Sequence, residues 1–181
     1  MSTELSLVAK VLSVHAALGQ VPHAFGGALA LAYYAEARAT IDIDLNVFVP
    51  VRDAGSVLGP LATIGVEPPR DVDEILTRDG QVRAWWGRTP LDLFFAYDAF
   101  HDAAARARRV VPFADAEIEV LSADHLAVCK AAFSRPKDWV DLDAMLAEGT
   151  HLDVAEVLRW LGRIVGDEDS RYVRMGALLG R

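Results

Sequence analysis

Residues 41–50, IDIDLNVFVP, constrain the fold more than any other stretch of this 181-residue chain. Ile, Leu, Val and Phe recur with an alternating period and Pro50 stops the run, so the segment reads as a β-strand. Side chains two apart on a strand share a face. Asp42 and Asp44 are therefore expected to project together, with Ile41, Ile43 and Leu45 filling the opposite face. Two neighbouring carboxylates raise each other's cost of ionisation. Such a pair is tolerable on a wet sheet face and useful where that face meets a divalent cation. Carboxylate oxygens suit Mg²⁺ or Mn²⁺, which keep several waters and also bind substrate phosphates.

The flanking pattern places this strand in a mixed architecture. Residues 3–18 follow a helical period, and Glu4, Lys10 and His15 interrupt the apolar positions. No basic segment precedes them, which favours an amphipathic helix over a signal peptide. The segment PHAF is a short strand entry, and Gly26-Gly27 opens a helix of small residues over 28–37. A helix is expected over 53–65. PPRDVDEIL starts another, with its prolines in the first turn. QVRAWW and PLDLFFA, joined by GRTP, form an antiparallel hairpin. A helix over 99–108 leads to a second hairpin, RVVPF and EIEVL, turning at ADA. From Ser122, a good N-cap, the chain is helical, with breaks at Gly149 and Gly166. The class is α+β: a small mixed sheet flanked by helices, then a helical C-terminal third. The expected division is a core over 1–121 and a helical region over 122–181 packed on it, or a single domain over 1–181.

Composition narrows the classes of function. Hydrophobic residues make up 52% of the chain, enough for a sizeable core. No apolar run reaches the roughly 18 residues of a membrane span, so no membrane partner is expected. Cys129 is the one cysteine, which excludes an intrachain disulfide and a Cys-rich zinc site and suits a cytoplasmic location. A net charge of −8 argues against a surface coated for nonspecific nucleic-acid binding. Arg70, Arg78, Arg83 and Arg88, then Arg106, Arg108 and Arg109, read as solvated surface. Trp85, Trp86, Trp139 and Trp160 read as core or interface aromatics. His15, His101, His125 and His151 lack ligand spacing, whereas His23 precedes the Gly-Gly turn.

Three features outside the strand bear on chemistry. At Gly26-Gly27 a strand becomes a helix, so backbone N–H groups can receive an anion with no Cβ in the way. Asp92 lies in an apolar strand. If that strand adjoins the one carrying Asp42 and Asp44, three carboxylates can converge on two metals about 3.5–4 Å apart. Lys130 sits on an otherwise apolar helix and by itself reads as a snorkelling surface lysine. Asp138 and Asp141 share a helical face, where either could anchor Lys130 or Arg38, or lie exposed.

With these residues in place, FGGALALAYYAEARATIDIDL resembles the signature of the DNA-polymerase-β-type nucleotidyltransferase superfamily, a Gly-Gly turn, a short helix and Asp-x-Asp. The Arg38-Ala39-Thr40 run is similar to the branch of AbiEii-like and MenT-type nucleotidyltransferase toxins. LSADHLAVCKAAFSRPKDWVDLDAML is similar to that branch's later motif, through Lys130, Lys137, Asp138 and Asp141. The resemblance implies a nucleotidyltransferase that transfers NMP from a nucleoside triphosphate to an RNA acceptor such as a tRNA 3′ end, with Mg²⁺ or Mn²⁺ as cofactor. It also implies a toxin with a cognate antitoxin protein. Asp42, Asp44 and Asp92 would be the metal-holding catalytic set. Gly26, Gly27, Arg38, Thr40, Lys130, Asp138 and Asp141 would contact nucleotide, and phosphorylation of Thr40 would switch the site off. The alternatives are an aminoglycoside-type small-molecule acceptor and a non-catalytic binding module or antitoxin of the same fold.

Overall fold

The computed structural model describes residues 5–181. Residues 3 and 4 of the expected first helix lie outside the described residues. In chain order the elements begin α1 (Leu7–Leu18), β1 (His23–Phe25), α2 (Gly27–Leu31), β2 (Ile43–Pro50), α3 (Gly55–Thr63) and α4 (Val72–Asp79). Next come β3 (Gln81–Trp86), β4 (Thr89–Ala96), α5 (Ala99–Ala107), β5 (Arg109–Phe113) and β6 (Ala116–Val120). The chain ends in α6 (Ala123–Phe133), α7 (Pro136–Ala147), α8 (Val154–Val165) and α9 (Ser170–Leu178). These elements form two compact units. One runs up to Gly26 and from Ala39 to Val120; the other comprises Gly27–Arg38 and Leu121–Arg181.

The first unit holds a six-stranded sheet in the order β3-β4-β2-β1-β6-β5. Strand β2 runs parallel to β4, and β1 parallel to β6, while the remaining pairs are antiparallel. The α+β mixed sheet is thus as expected. Phe25, Ile43, Leu45, Leu91, Leu93, Phe95 and Ile118 are fully buried, because alternate strand positions turn inward. Ser6 caps α1 by accepting from the Ala9 amide at 3.2 Å, and Val11, Val14 and Leu18 bury its inner face. Lys10 on the same helix is also buried. Its Nζ donates to the Trp86 carbonyl at 3.1 Å and to the Thr89 hydroxyl at 2.9 Å, tying α1 to the β3–β4 turn. That turn is two residues long, Gly87 and Arg88, rather than the expected GRTP, because Thr89 and Pro90 already pair with Trp86 and Trp85. Gly87 permits it with φ of 59°.

The second unit is helical. Leu126, Ala127, Val128 and Ala131 of α6 are buried, as are Trp139, Leu142, Leu161 and Met175 of α7, α8 and α9, the helices that pack on it. Ser122 caps α6, as expected, and its hydroxyl lies 2.8 Å from His125 Nδ1. The segment after α2 is fastened at both ends of Tyr34. The Tyr34 hydroxyl donates to the Leu121 carbonyl at 2.7 Å, and its own carbonyl accepts from Thr150 Oγ1.

Local details depart from the sequence pattern in three further places. The small-residue helix stops at Leu31 rather than near residue 37. The Tyr33 and Tyr34 amides bond the carbonyls three residues back, which tightens the chain into turns. Strand β2 begins at Ile43, not Ile41. The Asp42 amide donates to Thr40 Oγ1 at 3.2 Å, a local turn that competes with the ladder, and Ile41 is 71% exposed. Pro68 and Pro69 precede α4 instead of entering its first turn. Glu67 and Trp85 exchange backbone hydrogen bonds at 2.8 and 2.9 Å, and a residue before proline favours extended backbone. Among the described residues no helix is long and apolar enough to cross a membrane.

Candidate active site

Strand register assembles a polar row on one face of the sheet. Asp44 of β2 lies opposite Asp92 of β4, and Asp92 lies opposite Arg83 of β3. Residues opposed across a ladder share a face, so Asp44, Asp92 and Arg83 line up across three adjacent strands. Their sequence neighbours Ile43, Leu45, Leu91, Leu93, Val82 and Ala84 are buried on the other side. The adjacency of the two acid-bearing strands, conditional in the sequence, is a feature of the fold. Asp42 lies just before β2, in the turn made with Thr40.

Arg83 grips Asp92 with a two-pronged hydrogen bond. Nε donates to Oδ1 and an Nη to Oδ2, each at 2.7 Å. The guanidinium side chain is 51% exposed and the carboxylate 19%. The Asp92 hydrogen bond raises the Arg83 pKa, against a smaller effect of desolvation, and the negative charges of Asp92, Asp42 and Asp44 add to the rise. All three acids therefore act on one cation. Arg83 was grouped in sequence with solvated arginines. The signal that would have found it is the two-residue hairpin turn. Moving three residues away from the turn along each strand from the Trp86–Thr89 pair arrives at Arg83 and Asp92.

The Gly-Gly turn is tied to the acid strand through its backbone. The Gly26 amide donates to the Asp44 carbonyl at 2.9 Å, so it is engaged in the sheet rather than presented to an anion. Gly27 begins α2 with φ of 52°, a left-handed conformation that favours glycine. Just upstream, His23 is fully buried. Its Nδ1 donates to the Val21 carbonyl at 2.7 Å, leaving Nε2 to accept from His15 at 2.9 Å. Burial lowers the His23 pKa, overriding the opposing effect of the carbonyl, so the ring favours its neutral form.

The second unit gathers a different set of predicted residues. Asp141 of α7 accepts from Lys130 of α6 at 2.6 Å, and from Arg38 Nε and Nη at 3.0 Å each. The Lys130 and Asp141 side chains are each 5% exposed. Burial pushes the Asp141 pKa up, but the hydrogen bonds and charges of Arg38 and Lys130 outweigh it and the net shift is downward. Lys130 is therefore buried in an ion pair instead of snorkelling. Asp138 has a helix-end position. Its carboxylate accepts from the Arg135 amide at 3.0 Å and from the Arg135 guanidinium at 2.7 and 3.1 Å, which caps α7 in a capping box.

The acid row has the donor chemistry of a hard divalent cation: carboxylate oxygens on adjacent strands, reachable by water. Asp42 and Asp44 carry oxygens of that kind. Asp92 offers its own only when Arg83 lets go, since both are engaged. Among the described residues, no group of three His, Cys, Asp or Glu side chains is drawn together as a ligand set.

Comparison with solved structures bears on the fold. The solution structure of the antibiotic-resistance factor ANT(2'')-Ia superposes with a TM-score of 0.57 at 17% identity, covering 95% of this chain and 90% of that one. The crystal structure of ANT(2'')-Ia in complex with adenylyl-2''-tobramycin gives 0.55 at 19% identity, covering 96% and 97%. The chain has a nucleotidyltransferase fold. No protein-family model and no curated relative matches the sequence. The nucleotidyltransferase fold thus rests on three-dimensional likeness alone.

Proposed function

We propose that the protein is a nucleotidyltransferase that moves the NMP unit of a nucleoside triphosphate to an RNA acceptor, a tRNA 3′ end, as the cytoplasmic toxin of a toxin–antitoxin pair. The observation that supports this reading most is the in-register alignment of Asp44 with Asp92 in a nucleotidyltransferase fold. In the reaction an acceptor hydroxyl oxygen bonds to the α-phosphorus, the bridging P–O bond breaks, and pyrophosphate leaves with that electron pair. Asp92 orients the attacking hydroxyl and takes its proton. Asp42 and Asp44 hold Mg²⁺ or Mn²⁺, which when bound supplies positive charge to the triphosphate and the leaving group. Gly27, lacking a Cβ, lets phosphate oxygens come close to the backbone. The nucleotide contacts expected of Arg38 and Lys130 belong to this reading, with Asp141 fixing both side chains. Asp138 supports them by capping α7. Thr40, beside Asp42 in the chain, is the proposed regulatory phosphorylation site; unmodified Thr40 in inactive protein coexpressed with the antitoxin removes that element.

A second reading keeps the chemistry and changes the acceptor to a small cationic molecule such as an aminoglycoside. It is favoured by the likeness to a structure solved with adenylyl-2''-tobramycin and by the net charge of −8. One experiment separates the two. Each of the four nucleoside triphosphates, labelled at the α-phosphate, is incubated with the protein, Mg²⁺ and either total small RNA or an aminoglycoside panel, with Asp44→Ala as control. Label on RNA that disappears in the variant is the expected result. Label on an aminoglycoside alone replaces the first reading with the second, and no transfer from folded, unphosphorylated protein rejects both.

A further inference from the structure

The row Asp44–Asp92–Arg83 contains its own cation, and the geometry points to a role for it. We propose that Arg83 is a built-in competitor for the metal at Asp92, so that the acid row takes one divalent ion readily and a second only by displacing the arginine. The inference rests on the reading of Asp42, Asp44 and Asp92 as metal ligands. It goes beyond that reading by assigning Arg83, which the sequence pattern placed among solvated arginines.

Three observations carry it. First, the Arg83 fork takes both Asp92 oxygens at 2.7 Å, the same atoms a metal would need. A guanidinium matches a carboxylate in this two-pronged way better than an ammonium does. Second, the contact is set by backbone register across the β3–β4 hairpin, so Arg83 is held beside Asp92 whenever that hairpin is formed. Third, the arginine is half exposed on edge strand β3. An exposed pair of this kind is weak enough to open, whereas a buried one would lock the acid permanently. Metal bound by Asp42 and Asp44 lowers the negative potential that holds the guanidinium, so the row is graded: the first ion weakens the grip on Asp92, and the second completes the displacement. The reaction step that needs Asp92 is thereby coupled to metal occupancy.

The test measures metal binding without turnover. Mn²⁺ is titrated into the full-length protein and free Mn²⁺ is read by electron paramagnetic resonance, for wild type, Arg83→Ala, Arg83→Lys, Asp44→Asn, Asp92→Asn and Arg83→Ala with Asp92→Asn. Circular dichroism confirms that each is folded, and Arg83→Lys serves if the alanine variant is not. The expected result is a tight and a weak class of ion in wild type, with the weak class tightened roughly fivefold in Arg83→Ala. Arg83→Lys, which keeps the charge but loses the fork, shows an intermediate gain. The gain vanishes when Asp92 is also replaced. An unchanged weak class in Arg83→Ala overturns the proposal. So does a gain that persists without Asp92, since removal of a nearby positive charge then explains it. An unchanged weak class with Asp44-dependent Mn²⁺ binding intact refutes the role of Arg83 alone. Binding that is absent, or insensitive to Asp44→Asn, refutes the metal-site reading and this inference with it.

Discussion

Two ion pairs of nearly equal length behave as opposites. In the sheet unit Arg83 meets Asp92 at 2.7 Å with the arginine side chain half exposed; in the helical unit Lys130 meets Asp141 at 2.6 Å with both partners buried. Distance alone would rank them together. Water separates them: the exposed pair is screened and exchanges its partner at little cost, whereas the buried pair cannot lose one member without leaving a charge in a low-dielectric interior. One arrangement suits a site whose ligands must be released to substrate or metal. The other suits a brace that holds Arg38 and two helices in place. A carboxylate paired with a cation is thus exchangeable or fixed according to what surrounds it.

The comparison can be broken at its chemical end first. Asp44→Ala is expected to lower nucleotidyl transfer by about 10³-fold, or about 4 kcal/mol of transition-state stabilisation, while leaving the unfolding midpoint close to that of wild type. A variant that unfolds instead would place Asp44 with the bracing residues. The next largest effect is expected from Lys130→Met, a loss of about 3 kcal/mol in urea denaturation, because Asp141 keeps only Arg38. Adding Asp141→Leu should restore part of that loss, and a cycle of single and double variants measures the coupling. A cost under about 1 kcal/mol would mean that the buried pair is as dispensable as an exposed one.

A smaller effect concerns pH and touches both units. Burial lowers the pKa values of His23 and His101 in the sheet unit and of His125 in the helical unit. The unfolded chain therefore binds protons more readily than the folded one. The stability these rings support is fully present above the unfolded value of about 6.5 and is lost as pH falls through the folded values. Urea midpoints should decline between pH 7.5 and pH 5.5, and His23→Gln should flatten part of the decline; a flat profile in wild type would contradict the burial effect. The smallest change is expected from Arg83→Ala, within about 1 kcal/mol of wild-type stability. A larger loss would move Arg83 from the reversible class to the bracing one.

How far the sequence disclosed these features depended on the range of the interactions involved. The β3–β4 and β5–β6 hairpins, the Ser122 cap and the end of β2 at Pro50 were legible, since each depends on a few neighbouring residues. Element boundaries were less so. The small-residue run after Gly27 has helical propensity through residue 37, yet its later residues are drawn into turns and Tyr34 is bonded to Leu121 and Thr150, far away in sequence. Thr40 likewise moved the start of β2 by engaging the Asp42 amide. The places of the acids Asp44 and Asp92 were legible because each interrupts the apolar alternation of its strand. Their cation was not, because an arginine on an alternating strand looks like any solvated residue until the hairpin register is followed.

The sequence by itself determined the local alphabet: which segments alternate, where turns fall, and that Asp42, Asp44 and Asp92 lie on or beside apolar strands. Side-chain periodicity and turn stereochemistry act over a few residues, so they leave a direct trace in the order of amino acids. Only the tertiary structure decided that β2 lies parallel to β4 with Asp44 opposite Asp92, and that Arg38 reaches an aspartate 103 residues away to share it with Lys130. Those contacts arise from burying apolar faces that many alternative pairings could also bury, and the choice among them is made by the packing of the whole unit.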